Sequence, residues 1–361
     1  MKNKVIMGFL LLLTVVSCHN SPVLLLPTKE QSLYDDKYDT LTNNNISIKE
    51  LGASSIYAHN GFLFVERNDP KSQLLVYSCQ DNEPVAYLCV KGRAKNEFNS
   101  AHSYCKQFMT INGKECLLMG DEKSLDIKMI DIDNSLAHNS TVIEDVKQVP
   151  LPTRNSGYSV YITDHNEWFN HNLLYINSLE GYMEAPKFTI TTNEKEKEIK
   201  TFGNIMDLTE DKLYVLYQGK MRIKPDETKV VFAYIGMPFF FIYDIKKHNG
   251  IAVHDSLKMT FDNPDEKEIN NDIDLFALDV YTTNNYIAIL SPNNSVTNYY
   301  GQMDCFPILR FFDWDGNYLK GVVLDKKIHE IAFDEISKKL YGLNIISEEI
   351  IQYDLSYVNL P

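Results

Sequence analysis

Arginine, glutamate and tyrosine side chains that could bind a ligand occur in segments between the strand-like parts of the chain. The candidates are Arg93, Glu97, Arg154, Arg222, Tyr299 and Tyr300. Arginine offers fixed donors to carboxylates and hydroxyls, and tyrosine offers a flat apolar ring with a hydroxyl. These residue types suit a polar or sugar-like ligand. Two alternatives remain: a salt bridge between Arg93 and Glu97 that only pins its own loop, and tyrosines that only pack their loop onto the fold.

Motifs of common enzyme classes are absent from the sequence, which contains no GxSxG, HExxH, Walker loop or GxGxxG. The segment 313–317, DWDGN, begins like a calcium loop, but its glycine is fourth and Leu324 is twelfth. An EF-hand needs glycine at the sixth position and glutamate at the twelfth, so a tight hairpin turn is expected instead. His165 and His171 have no spacing typical of metal ligands. We therefore predict no metal site and no cofactor.

The charge balance limits the classes of partner. The chain has 361 residues, with 35 basic against 49 acidic side chains and a net charge of -14. An acidic surface repels phosphate, so neither nucleic acid nor an anionic membrane surface is expected to bind it directly. An envelope protein or a polar small molecule fits better.

The N-terminus has the pattern of a bacterial lipoprotein signal peptide over residues 1–17. Lys2 and Lys4 precede an uncharged apolar run, which ends at Val-Val-Ser-Cys18. This ending resembles a lipobox and predicts lipidation of Cys18, so that the protein touches the membrane through the lipid alone. The alternative is an ordinary secretory signal with a chance cysteine. Five other cysteines, Cys79, Cys89, Cys105, Cys116 and Cys305, are expected to be mostly free and buried, although disulfides remain an alternative.

From residue 46 onward the chain consists of short runs rich in Tyr, Val, Ile and Phe, separated by Asn, Asp and Gly, which is typical of an all-β protein. Residues 18–45 have no sustained periodicity and are interpreted as a tether. A recurring strand ends at Tyr77, Ile130, Tyr243, Phe312 and Tyr353, with spacings of 53, 113, 69 and 41. The spacing of 113 is about two repeats, which predicts a further copy near residue 186.

Each repeat has room for four antiparallel strands, the arrangement of a propeller blade. The last repeat lacks an outer strand, and residues 46–51 are free to supply it. Such pairing would close the ring and remove an exposed strand edge. The predicted fold is a six-bladed β-propeller over residues 46–361, with four strands in every blade.

The loop Gly92-Arg93-Ala94-Lys95-Asn96-Glu97-Phe98 resembles the Gly-Arg-Gly-Pro-Gly-Glu-Phe loop of TolB-like six-bladed propeller lipoproteins of Bacteroidota. It keeps Gly92, Arg93, Glu97 and Phe98 and differs at the three central positions. The resemblance implies the architecture more than any chemistry. It also implies attachment to the outer membrane, on the periplasmic side, because no acidic patch follows Cys18.

In a blade of four strands, connections between blades and loops between the second and third strands emerge on the same face. This predicts that three segments share one face: the Gly92–Phe98 loop and the expected insertions 219–238 and 291–305. We therefore expect a lipid-anchored binding or scaffolding protein of the cell envelope that uses this face and is not an enzyme. The main alternative is a metal-dependent hydrolase or lactonase on the propeller axis. A purely structural envelope component is a third interpretation.

Overall fold

The computed structural model describes residues 26–33, 37–103, 106–121, 124, 126–148, 157–162, 168–173, 187–192, 195–199, 218–255, 274–292, 294–301 and 305–356. The predictions for the signal peptide, Cys18, Cys105 and Arg154 lie outside the described residues.

The described chain is built almost entirely from strands. In chain order, the first half contains β1 (Thr28–Gln31), β2 (Asp39–Leu41), β3 (Asn43–Lys49), β4 (Ala53–His59), β5 (Phe62–Arg67), β6 (Leu74–Ser78), β7 (Pro84–Leu88), β8 (Ala101–His102), β9 (Phe108–Ile111), β10 (Lys114–Asp121), β11 (Asp126–Asp131), helix α1 (Ile132–His138), β12 (Ile143–Gln148), β13 (Gly157–Ile162), β14 (Trp168–Leu173), β15 (Lys187–Thr192) and β16 (Lys195–Ile199). The second half contains β17 (Gly219–Ile223), β18 (Lys229–Tyr234), β19 (Phe239–Asp244), β20 (Asn249–Asp255), β21 (Asp274–Leu275), β22 (Asp279–Thr282), β23 (Tyr286–Ser291), β24 (Asn294–Ser295), helix α2 (Val296–Gly301), β25 (Ile308–Asp313), β26 (Tyr318–Leu324), β27 (Glu330–Asp334), β28 (Lys339–Asn344) and β29 (Glu349–Asp354).

These strands form antiparallel sheets that follow one another along the chain. The sheets, in order, are built on β4–β7, β8–β12, β13–β16, β17–β20, β22 with β23, β25 and β26, and β27–β29, and we call them the first to the sixth sheet. Strands β21 and β24 form a separate pair. The first strands of successive sheets touch: β17 contacts β22, β22 contacts β27, and β27 contacts β4. The first strands therefore line the centre, and the all-β prediction is confirmed as a β-propeller.

Burial explains why the middle strands of each sheet are so apolar. In the first sheet, β5 and β6 each have four consecutive buried residues, because a neighbouring sheet covers both of their faces. The outer strand β7 alternates between exposed and buried side chains. Shared cores fill the spaces between sheets, and one such core joins Val76 of the first sheet to Leu117 of the second.

Not every sheet has four strands, so the prediction of uniform four-stranded blades is wrong in detail. The second sheet has five because its innermost strand is divided into β8 and β9, which both pair with β10. The fourth and fifth sheets each gain a parallel strand from the N-terminal segment, β1 beside β20 and β2 beside β26. Within the described ranges, two short helices, α1 and α2, also interrupt the strand pattern.

The repeat predicted from the sequence is confirmed at the level of individual strands. The motif ending at Tyr77 is β6, the third strand of the first sheet, and the motifs at Tyr243 and Tyr353 are the third strands of theirs. The copy expected near residue 186 is β15, the third strand of the third sheet.

The predicted closure by an N-terminal strand is also confirmed, with slightly different bounds. Strand β3 spans Asn43–Lys49 and pairs antiparallel with β29, placing Ile48 opposite Ile350. It occupies the fourth position of the sixth sheet. The two ends of the propeller thus share one sheet, which leaves no unpaired edge on β29.

The segment interpreted as a tether includes the two added strands and a buried anchor. Leu33 is buried in the core between the fourth and fifth sheets. Its carbonyl accepts a hydrogen bond of 3.1 Å from Nε of the buried Arg310. The side chain of Lys29 donates to the carbonyl of Asp315 in the hairpin turn 313–317. This turn is the tight hairpin that the sequence predicted, closed by Gly316 N donating to Asp313 O.

Candidate functional site

Five charged side chains from four sheets meet where the first strands approach one another. They are Lys106, Lys220, Arg222, Asp279 and Glu330, which we call the axial cluster. Asp279 and Glu330 are the first residues of β22 and β27, so the chain delivers both carboxylates as it enters the centre. Lys106 lies in the break between β8 and β9, with a positive φ of 53°, and this break directs the residue away from regular pairing.

The geometry of the axial cluster is that of a linked ion-pair network. Nζ of Lys106 lies 3.0 Å from Oδ2 of Asp279 and 2.9 Å from Oε2 of Glu330. Arg222 Nη2 lies 2.8 Å from the other oxygen of Asp279. Lys220 is further away, with its Nζ 3.9 Å from Oε1 of Glu330, and its side chain is 32% exposed. Lys220 is therefore the cation of the cluster with the most freedom to meet a ligand.

Backbone and hydroxyl groups complete the coordination of both carboxylates. Asp279 accepts from the backbone N–H of Val280 at 2.9 Å and from that of Ile331 at 3.1 Å. Glu330 accepts from the hydroxyl of Ser55 at 2.7 Å and from the N–H of Ile56 at 3.2 Å. The cluster thus joins the fifth and sixth sheets to the first. Buried carboxylates with this many donors remain charged.

The electrostatics follow from the excess of cations. Burial alone would raise the pKa of Asp279, but Lys106, Arg222 and Lys220 outweigh it and lower that pKa to about 2. Glu330 is also buried, yet Lys106 and Lys220 lower its pKa despite the opposing effect of Asp279. Three cations face two carboxylates, so the cluster carries a formal charge of about +1 within an acidic protein.

Arg222 belongs to this cluster and not to an exposed insertion. The segment predicted as an insertion over 219–238 is instead strand β17, a turn and strand β18. Arg222 is buried, and it also donates to the carbonyl of Met221 at 2.8 Å. Its role in the described structure is therefore to hold Asp279.

The two candidate tyrosines differ in environment. Tyr299 is fully buried in the core of the fifth and sixth sheets, and its hydroxyl donates to the carbonyl of Ile328. Tyr300 is 43% exposed, and its ring stacks on the buried ring of His329 at 5.3 Å. The structure assigns Tyr299 to packing and leaves Tyr300 available on the surface.

The Gly92–Phe98 loop is held by its own backbone and by Lys128. Gly92 N donates to Phe98 O at 2.9 Å, and the carboxylate of Glu97 accepts from Ala94 N at 2.9 Å. Lys128 donates to the carbonyl of Glu97, and Phe98 is fully buried. Within the described residues no ion pair joins Arg93 to Glu97. Arg93 is exposed, whereas Glu97 shapes the loop.

The candidate residues thus lie in separate environments: Arg222 in the axial cluster, Tyr299 in a core, and Glu97 inside its loop. Arg154 is not described. Sequence reasoning missed Lys106, Lys220, Asp279 and Glu330. The only available signal was the position of Asp279 and Glu330 at the start of innermost strands.

The described residues show neither a metal-binding cluster nor a membrane-spanning helix. No group of three or more His, Cys, Asp or Glu side chains in the described ranges is arranged to hold a metal ion. The same ranges contain no helix with the length and apolar character needed to cross a bilayer. Four cysteines, Cys79, Cys89, Cys116 and Cys305, are buried and form no disulfide, as the sequence favoured.

Comparison with known proteins supports the fold. No family model and no curated protein matches the sequence. Among solved structures, a member of the DUF4221 family from Bacteroides vulgatus superposes with a TM-score of 0.51 at 11% identity, covering 93% of this chain and 98% of that chain. A protein from Bacteroides fragilis assigned as exported gives a TM-score of 0.46 at 11% identity, covering 94% of this chain and 96% of that chain. At such identities the likeness concerns the fold alone, and the chain is a β-propeller. The narrower TolB-like resemblance stays a prediction.

Proposed function

We propose that this chain is a lipid-anchored β-propeller of the cell envelope that binds a polar ligand or a protein partner at the axial cluster and catalyses no reaction. The succession of sheets along the chain, the contacts between first strands and the pairing of β3 with β29 support a propeller that closes on itself.

One observation carries the preference for binding over catalysis. Both carboxylates of the axial cluster are held ionised by fixed cations, with the pKa of Asp279 at about 2. A general base works best when its pKa lies near the working pH, so neither group is suited to proton transfer at neutral pH. Lys220, in contrast, is partly exposed and only loosely paired. The cluster therefore presents a donor to an anionic or hydroxylated group.

The alternative of an axial metal hydrolase is less well supported. The ammonium group of Lys106 lies within 3.0 Å of both carboxylates, the place that a divalent ion would need. An ion there would have to displace Lys106 and face Arg222 and Lys220. Metal analysis of the purified, tag-free protein tests this alternative, because a stoichiometric, tightly bound divalent ion would favour the hydrolase.

Binding can be tested with a panel of acidic sugars and acidic peptides, using the shift in melting temperature as readout. We expect at least one compound to stabilise the wild type and to lose most of its effect in Lys220→Gln. Lys247→Gln is the matched control, because Lys247 is exposed and lies in the turn after β19. Equal stabilisation of wild type and Lys220→Gln would remove the axial cluster as the site.

Anchoring is proposed through Cys18, on the periplasmic side of the outer membrane. Cys18→Ser should move the protein from the membrane fraction to the soluble envelope fraction, and globomycin should block maturation of the wild type. Unchanged fractionation in both cases would contradict lipidation.

A further inference from the structure

Exposed large apolar side chains concentrate on one face of the described propeller. In propellers of four-stranded blades, connections between blades and loops between second and third strands emerge on the same side, here called the axial face. Six of the twelve exposed large apolar residues lie in such loops, namely Leu51, Val90, Tyr300, Phe306, Ile345 and Ile346. Five others lie on outer strands, and Ile336 alone lies in a turn of the opposite face.

Four of these residues lie in loops that are linked through His329 and Glu348, and we call them the apolar patch: Leu51, Tyr300, Ile345 and Ile346. Their exposures are 71%, 43%, 39% and 57%. The Tyr300 ring stacks on His329, and Ile345 N donates to Nδ1 of His329 at 3.3 Å. Glu348 joins Leu51 to the same turn, because its carbonyl accepts from Glu50 N at 3.0 Å and its carboxylate accepts from Gly52 N at 3.1 Å.

The apolar patch is formed in advance of binding. The side chain of Asn344 accepts from Ile346 N at 3.0 Å and from Ser347 N at 3.2 Å, which fixes the turn that carries both isoleucines. His329 supports the patch from below, itself almost fully buried. A group of exposed apolar side chains that is held in place in this way is typical of a binding surface.

The patch adjoins the axial cluster through neighbouring residues. His329 precedes Glu330, whose carboxylate binds Lys106 and faces Lys220. A partner on the patch would therefore meet apolar side chains and, next to them, a cationic centre. This complementarity calls for an occupant with apolar groups beside an anionic one.

With the lipid of Cys18 in the membrane, as proposed above, the path of the chain would turn this face away from it. Strand β1 runs parallel to β20 and begins opposite Ala252, in the middle of that strand. Strand β20 begins at the turn of the opposite face and ends at the axial face, so the chain reaches Thr28 from the opposite side. Only nine residues separate Cys18 from Thr28, a reach of about 30 Å at most.

We infer that the apolar patch docks a protein partner of the envelope, through a segment of that partner in which apolar side chains stand beside an aspartate or glutamate. This inference rests on the proposed function and names its class of partner. A second copy of the chain is a poorer occupant, because two bodies of net charge -14 repel each other.

The first test uses 1-anilinonaphthalene-8-sulfonate, a probe that is apolar and anionic like the inferred segment. We expect Ile346→Asp and Leu51→Asp to weaken its binding by about tenfold each, with melting temperatures unchanged. Ile336→Asp is the matched control, since Ile336 is 69% exposed on the opposite face, and it should bind as the wild type does. Equal binding by all four proteins would overturn the inference.

The second test selects peptides from a random twelve-residue library on the wild-type chain. Selected peptides should combine apolar residues with Asp or Glu, bind the Ile336→Asp control, and fail to bind Ile346→Asp. Peptides that bind Ile346→Asp as tightly as the wild type would overturn the docking surface.

If a sugar of the panel still requires Lys220 in that case, the proposed function stands without the docking surface. Dimers that dissociate in Ile346→Asp would overturn the inferred partner in favour of a second copy.

Discussion

The ammonium group of Lys106 lies 3.0 Å from Oδ2 of Asp279, so a residue from the break in the second sheet neutralises the first residue of the fifth. The sequence separates the two by 173 positions. Their pairing therefore couples distant parts of the propeller. We expect its loss to destabilise the whole fold.

Lys106→Met should destabilise the protein strongly. It removes one partner from two buried carboxylates, and breaking a buried pair in this way costs about 3–5 kcal/mol. Chemical denaturation measures the change. The matched control is Lys114→Met, because Lys114 is more exposed and pairs with Asp131 and Glu144. Its loss should destabilise the protein much less, since exposed ion pairs contribute little. Equal losses in the two variants would mean that the axial cluster is not structurally important.

Stability should fall as the pH drops from about 6.5 to about 4, because of His329. Burial, aided by Lys327 and opposed by Glu330, lowers the pKa of His329 to about 4. The unfolded chain keeps the ordinary pKa near 6.5, so it takes up the proton first and is favoured as the pH falls through this window. The full effect is about 3 kcal/mol. His329→Gln should flatten this part of the profile, and an unchanged slope would show that His329 is not the group responsible.

Tyr299 and Tyr300 should respond differently to loss of the hydroxyl. Tyr299→Phe leaves the buried carbonyl of Ile328 without its donor, at a cost of about 1–3 kcal/mol. Tyr300→Phe keeps the ring that stacks on His329 and should change the melting temperature little. Thermal unfolding of both variants decides the matter. A larger loss for Tyr300→Phe would reverse the assignment of these residues.

Ile48→Asp should disturb the closure of the ring. Ile48 is partly buried and packs against the core between the sixth and first sheets, so a charge there should cost about 2–4 kcal/mol. Ile46→Asp is the control on the same strand, since Ile46 is 40% exposed.

Deletion of residues 46–51 should also cause aggregation, because it exposes the edge of β29. A deletion variant that melts like the parent would contradict closure by β3.

Leu33→Ala should cost about 2–5 kcal/mol, although residue 33 lies in a segment without strand-like periodicity. The side chain is buried beside Val231 and Phe312 in the core between two sheets. Leu51→Ala, at an exposed position, should change stability by less than about 0.5 kcal/mol. Should both variants unfold at the same denaturant concentration, the N-terminal segment contributes nothing to the fold.

The strand repeat and the ring closure were predictable because they rest on local patterns. Short apolar runs followed by turn residues mark the third strands, and the copy at β15 followed from the spacing alone. The added strands β1 and β2 were not predictable, since Thr28–Gln31 and Asp39–Leu41 are too short and polar to show a period. They become strands because the edges of the neighbouring sheets offer unpaired backbone groups.

The site was harder to predict, for a related reason. Arg222 was predicted as a ligand-binding residue of a loop, but its strand was mistaken for that loop because the turn between β17 and β18 is polar and the strands are short. Lys106 and Asp279 meet only in the assembled ring, and no spacing in the sequence connects them. Contacts of this kind depend on the assembled fold and cannot be predicted from the sequence alone.

The pairing of β3 with β29 sets a limit on when the molecule can fold. Strand β3 comes early in the described chain and its partner β29 is the last described strand, so the sixth sheet stays incomplete until β29 has been made. Leu33 and Arg310 are likewise 277 positions apart. Pairing between such distant segments is slow, because the intervening chain must be ordered first. During that interval β3 and β29 each lack their partner strand, and an unpaired strand edge can associate with other chains.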